Sequence, residues 1–157
     1  MGIALSLKDY LDDHGLSYDV MVHQRTARCA STAQAAGISQ DSMAKGVLVR
    51  YSNGYILAIV PASRDVAMKE LGALYERPVG LASEMEVASV FRDCDVGAIP
   101  PVGEVYGVQT VIDDRLEDYK DIYFEGGDHR TLVHMNGRDF RQLMAGVPHA
   151  DISVRKC

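Results

Sequence analysis

Lys45 stands at the head of an apolar run, Lys45-Gly46-Val47-Leu48-Val49. A lone cation at the start of an apolar stretch stands out as a candidate binding residue. On spacing alone it also reads as a strand-end lysine, its stem over apolar surface and its head in water. The second chemical stretch is Val96-Gly97-Ala98-Ile99-Pro100-Pro101-Val102-Gly103, apolar yet unable to be regular. Two successive prolines fix φ and remove two backbone donors, so the segment neither continues a helix nor joins the middle of a sheet. Pro100 pushes Ile99 towards extended geometry, and Gly97 and Gly103 admit conformations that a Cβ would block. Such a loop presents carbonyls and amides in fixed directions, as a small polar ligand requires; it could equally be a stiff connection. The third is His129, just after Gly126-Gly127, where an imidazole could meet substrate or simply occupy a turn.

The usual catalytic devices are missing. There is no GxSxG elbow and no GxxxxGK[ST] or GxGxxG phosphate loop. The five histidines include no HExxH, and His129 and His134 would face opposite ways along one strand. Neither a metal site nor a cofactor is expected. Cys29 and Cys94 read as small core residues, since no histidine can be assigned to either as a partner. Asp113-Asp114 reads as the start of a turn.

Composition narrows the partners. The 157 residues suit one domain with a substantial core, and 47% hydrophobic with 24% charged residues is ordinary for a soluble protein. A net charge of −6 excludes a broad basic surface. Phosphate contacts dominate nucleic-acid affinity, so any RNA would be gripped locally, and no DNA partner is expected. Arg25, Arg28, Arg50 and Arg130 are the candidate phosphate contacts, with solvated surface as the plainer reading. Three widely spaced cysteines suit reduced thiols in the cytoplasm. The first residues lack a signal-peptide pattern, and no stretch is long enough to span a membrane.

The elements that must position these residues can be read in order. Ser6 is a candidate cap for a first helix, with Leu7, Tyr10 and Leu11 on one face and Gly15 as its stop. A strand is predicted over 18–23 and a small-residue helix over 26–37. The strongest local signal is a hairpin of 45–51 with 55–60, turning at Ser52-Asn53-Gly54. Alternation puts Lys45, Val47, Val49 and Tyr51 on one face, Gly46, Leu48 and Arg50 on the other. Ser63 or Asp65 is expected to cap a helix with Ala67, Leu71 and Leu74 inside. A short strand follows at 77–81, and Ser83 with Glu86 forms a capping box before Val87, Val90 and Phe91. Strands are predicted at 104–113, 122–125 and 131–135, and Asn136 caps a last helix bearing Phe140, Leu143, Met144 and Val147. Hairpins among helical crossovers give one α/β domain with a mixed sheet.

The ordered set Ala35-Ala36-Gly37, Ala44 to Val49, Val96 to Gly103, Val111-Ile112-Asp113 and Phe124-Glu125-Gly126-Gly127 resembles the YbaK/ProX family across nearly the whole chain. That family comprises single-domain trans-editing aminoacyl-tRNA deacylases related to the insertion domain of bacterial prolyl-tRNA synthetases. The resemblance implies a largely antiparallel, curved sheet flanked by helices, with residues 1–157 as one deacylase domain. It places Lys45 on the family's functional lysine and Gly97 to Pro101 on its G-x-x-x-P loop. His129 is similar in placement to a histidine of some alanine-specific members. The implied catalytic residues are thus Lys45, Gly97 and His129, with Ala98, Ile99, Pro100, Pro101 and Gly127 contacting substrate. Gly46 replaces a frequent threonine or asparagine, and Pro100 a frequent serine, which bears on amino-acid specificity.

The expected activity is hydrolysis of a mischarged tRNA ester, with a small amino acid such as alanine or cysteine on a proline tRNA. Such clearance is needed because a synthetase pocket gains only ~1–3 kcal/mol per methylene. The expected partners are the aminoacyl-tRNA acceptor end and, in some settings, a synthetase. A non-catalytic tRNA- or synthetase-binding adaptor and a small-molecule esterase are the rival readings. Pocket size would be set by Ala98, Ile99, Val47 and Met43. Lys45 and the proline loop are expected to converge on one hollow sized for a small aminoacyl ester.

Overall fold

The computed structural model describes residues 3–23, 33 and 36–156. In chain order the strands are β1 (Asp19–Val22), β2 (Ala44–Tyr51), β3 (Gly54–Pro61), β4 (Arg64–Val66), β5 (Val79–Leu81), β6 (Gln109–Asp113), β7 (Asp121–Glu125), β8 (Thr131–Asn136), β9 (His149–Ala150) and β10 (Ser153–Arg155). The helices among the described residues are α1 (Leu5–Asp13), α2 (Met68–Tyr75), α3 (Glu84–Val90) and α4 (Gly137–Leu143). Most of the helix predicted over 26–37 lies outside the described residues, as do Arg25, Arg28 and Cys29.

β2 and β3 pair without a break from Ala44↔Pro61 to Tyr51↔Gly54. The turn therefore holds only Ser52 and Asn53, with Ser52 at φ 50°. That is one residue earlier than an Asn-Gly turn, because Gly54 is already in the ladder. The five-stranded sheet runs β5-β2-β3-β6-β9, with β6 parallel to β3 and to β9. A three-stranded antiparallel sheet runs β1-β8-β7, and β10 pairs with β4 as a separate ribbon. The α/β class and the mixed, largely antiparallel sheet agree with the sequence reading.

The two larger sheets meet at one point. Met43, just before β2, forms a single parallel bridge with Tyr123 of β7. The main core fills one side of both strands: Ala44 and Leu48 of β2 and Ile122 and Phe124 of β7, with Leu7 and Leu11 of α1, Phe91 and Phe140. A second cluster lies on the other side of β2 and β3, where Val49, Ile56, Ala58 and Val60 meet Leu71 of α2 and Ile152.

Several local expectations are corrected. Ser6 lies inside α1, whose preceding residue Ala4 offers no side-chain cap; the Ser6 amide instead donates to Asp93 Oδ2 at 3.0 Å. Ser63 and Asp65 do not cap a helix, because Arg64–Val66 is held as a strand by β10, with Arg64 Nε donating to Ser153 Oγ at 2.7 Å. Leu74 is exposed, while Ala67 and Leu71 are buried. The strand predicted over 104–113 begins only at Gln109, after a short 3-10 turn over Glu104–Tyr106 that ends on Gly107 at φ 70°. The Ser83–Glu86 capping box and the Asn136 cap form as predicted.

Candidate functional site

The pleat decides where Lys45 points. Its neighbours Ala44 and Leu48 face the main core, so Lys45 lies on the side away from it. The same argument applied to β7, where Ile122 and Phe124 face the core, puts Glu125 on that side too. Lys45 and Glu125 each sit two residues beyond the Met43–Tyr123 bridge, where the two strands cease to pair. The Lys45 ammonium is 3.4 Å from Asp65 Oδ1, and 16% of its side chain is exposed.

The proline loop does not meet Lys45 on one face throughout its length, which corrects the expected convergence. A Cβ on Gly46 would stand 3.4 Å from Pro101 Cα and 3.0 Å from Leu57 Cδ1. Pro101 thus lies against the face of β2 opposite Lys45. Ala98, Ile99, Pro100, Pro101 and Val102 are all buried, and Ile99 and Val102 belong to the main core. These residues anchor the loop, so Ala98 and Ile99 are packing residues first. Gly97 alone of the predicted loop residues is exposed, at φ 90°.

The start of the loop does reach the other predicted residues. Asp95 N donates to Gly127 O at 2.7 Å, and the His129 ring, through Nε2, lies 2.8 Å from Val96 O. Gly127, at φ 123°, is fitted closely: a Cβ would meet Ala4 Cβ at 3.2 Å and Cys94 Sγ at 3.3 Å. His129 itself takes φ 62° and is buried. The turn is braced by Asp128, whose carboxylate accepts from Arg130 N, Thr131 N and Thr131 Oγ1. The structure therefore brings together Gly97, Gly127 and His129. It also adds Glu125 and His23, which sequence reasoning missed: His23 Nε2 lies 3.7 Å from Glu125 Oε1, and His129 Nδ1 lies 3.9 Å from Glu125 Oε2. The signal was present in Phe124-Glu125-Gly126-Gly127, where a charged residue follows the apolar run Ile122-Tyr123-Phe124.

Burial pushes the Cys94 thiol up to about 12, with Asp93 and Asp95 adding to the effect. A thiol so held is a poor nucleophile, in line with a core role. Arg50 is engaged with Glu86 at 3.0 Å, and Arg130 is exposed beside the turn. Away from this region, Asp114, Glu117 and His149 bring ligand-type atoms within 4.8 Å of one another, with His149 Nδ1 2.7 Å from Asp114 Oδ1. No helix among the described residues is long and apolar enough to cross a membrane.

The architecture is that of a known class of small α/β domains. A hypothetical protein of known crystal structure aligns with TM-score 0.84 at 24% identity, over 95% of this chain and 99% of that one. A crystal structure described as a candidate trans-editing enzyme for prolyl-tRNA synthetase aligns with TM-score 0.81 at 22% identity, over 98% and 97%. A longer protein from Marinobacter aquaeolei VT8, described in terms of signal transduction, contains the same fold: TM-score 0.77, 20% identity, 96% of this chain and 30% of that one. No curated protein sequence matches the chain. The aminoacyl-tRNA editing domain model matches residues 23–143, and the chain belongs to that family.

Proposed function

We propose that this protein is a trans-editing aminoacyl-tRNA deacylase, acting as one domain over residues 1–157, in the cytoplasm. Its substrate is a tRNA, of the proline class, carrying a small wrong amino acid such as alanine or cysteine. The observation that carries the reading is the double tie of the loop to the glycine turn, Asp95 N to Gly127 O and His129 to Val96 O. It holds exposed Gly97 beside a buried histidine–carboxylate group, in a chain whose family edits aminoacyl-tRNA.

In this reading the side of β2 and β7 that carries Lys45 and Glu125 receives the aminoacyl end. Lys45 holds the terminal phosphate or the ester oxygen as a point charge. The backbone at Gly97 supplies an amide to the oxyanion that forms when water attacks the ester carbonyl; one such donor is typically worth ~3 kcal/mol. The water is oriented by backbone groups or by the terminal ribose hydroxyl. His129, with one nitrogen on the Val96 carbonyl, holds the loop rather than touching the reacting atoms. No covalent intermediate is needed, and the raised Cys94 thiol fits a direct attack by water.

A second reading is a tRNA- or synthetase-binding adaptor, favoured by one observation: Pro101 packs on the face of β2 away from Lys45. Purified protein assayed against alanine, cysteine and other amino acids on tRNAs for proline and alanine separates the two. Release of the amino acid supports the enzyme; saturable binding without release supports the adaptor.

A further inference from the structure

Glu125 ends β7 with only 2% of its side chain exposed, and two imidazoles flank it. His23 lies by Oε1 and His129 by Oε2, with 3% and 9% of their side chains exposed. A carboxylate so far from water is tolerated where a cation or a proton faces it. The separations, 3.7 and 3.9 Å, are those of ion pairs rather than hydrogen bonds.

The other nitrogen of His129 settles its hydrogens. Val96 O can only accept, so Nε2 at 2.8 Å must carry a hydrogen. If Nδ1 were then bare, its lone pair would point at the Glu125 carboxylate. The opposite neutral tautomer would set a lone pair against the Val96 carbonyl. Against an ionised Glu125, a ring with hydrogens on both nitrogens is the form that serves both neighbours. Among the described residues, the charged or titratable groups on the elements that meet here include His23 at the end of β1, Lys45 on the same side of β2, and Cys94 and Asp95 before the loop. Asp128 lies in the turn itself, its carboxylate already taken up by Arg130 and Thr131.

We propose that Glu125 is a positioning residue of the editing site: its buried carboxylate, bracketed by His23 and His129, keeps a hydrogen on His129 Nδ1 and so locks the ring onto the Val96 carbonyl. The chain of contacts runs from the end of β7 through the imidazole to the residue before Gly97. With Asp95 N bound to Gly127 O, the backbone is fixed at both residues that precede Gly97. Displacing a reacting group by about 1 Å can cost on the order of 100-fold in rate, so such a lock acts on turnover more than on binding.

The consequence for catalysis rests on the editing reading; the state of the ring does not. The full chain, labelled with 15N-histidine, is compared with Glu125→Gln and Glu125→Ala by NMR and in deacylation kinetics. Expected in the wild type are His129 signals with both nitrogens protonated. In Glu125→Gln, Nδ1 loses its hydrogen, because no carboxylate then faces it. Glu125→Ala lowers kcat on the order of 10- to 100-fold with little change in KM, and Glu125→Gln recovers part of it. A bare Nδ1 in the wild type, an unchanged ring in Glu125→Gln, or full turnover in Glu125→Ala each overturns the proposal. The expected NMR result in a wild type that releases no amino acid from any tRNA confirms the lock and refutes the editing reading.

Discussion

Replacing Gly127 by alanine tests the joint between the glycine turn and the loop. Two costs add. The backbone at φ 123° lies where residues with a Cβ are strained, worth ~1–3 kcal/mol. The new methyl would also press on Ala4 Cβ at 3.2 Å and Cys94 Sγ at 3.3 Å. Both neighbours are fixed, Ala4 by its amide on Gly126 O at 2.8 Å and Cys94 by Tyr106 Oη at 3.2 Å. Overpacking of this kind adds ~1 kcal/mol or more, for a total of ~2–4 kcal/mol. In a domain of this size that lowers Tm by roughly 4–16 °C. Gly107→Ala is the control, since Gly107 also has positive φ, 70°, but nothing lies within 4 Å of its Cβ position. Urea unfolding of the two variants and the wild type gives the difference directly. A Gly127→Ala loss no larger than that of Gly107→Ala would refute the claim that this turn is closed around the loop.

Two further outcomes follow from the titrating groups. The Glu86 carboxyl is held down to about 2, from an ordinary 4.5, by the Ser83 amide, the Tyr55 hydroxyl and Arg50. Its contribution is present above the ordinary value and is lost as pH falls through about 2, so Glu86→Gln should flatten the acid limb of the stability–pH curve. An unchanged acid limb, or an NMR titration of Glu86 near 4.5, would contradict this. Burial of the Cys94 thiol predicts that iodoacetamide at pH 8 leaves Cys94 unlabelled in the folded chain and labels it after unfolding, as read by peptide mass mapping. Fast labelling of the folded chain would show a thiolate where none is expected.

Local signals carried much of the fold. Alternation along 45–51 placed Lys45 opposite Gly46, and Ser83 with Glu86 marked the start of α3 to the residue. What stayed hidden depends on partners far along the chain. Arg64–Val66 is a strand because Ser153–Arg155 lies beside it, and nothing in its own three residues announces that. Ser6 looked like a cap because its true partner, Asp93, is distant in sequence. The candidate site divides in the same way. Gly97 and Gly127 were legible from types and motif order, whereas His23 and Glu125 meet only once β1, β7 and β8 have paired. The route of the proline loop under Gly46 was not legible either. It is seen only from which atoms lie against the Gly46 face of β2, Pro101 Cα among them.

The proposed role of Lys45, on the side of β2 away from the main core, is to hold a mischarged tRNA end for hydrolysis. The measurement is single-turnover release of alanine from alanyl-tRNA of the proline class, by the wild type and by Lys45→Ala with matched circular dichroism. The wild type is expected to release alanine, and the variant to lose most of that release. Equal release by both proteins would contradict it.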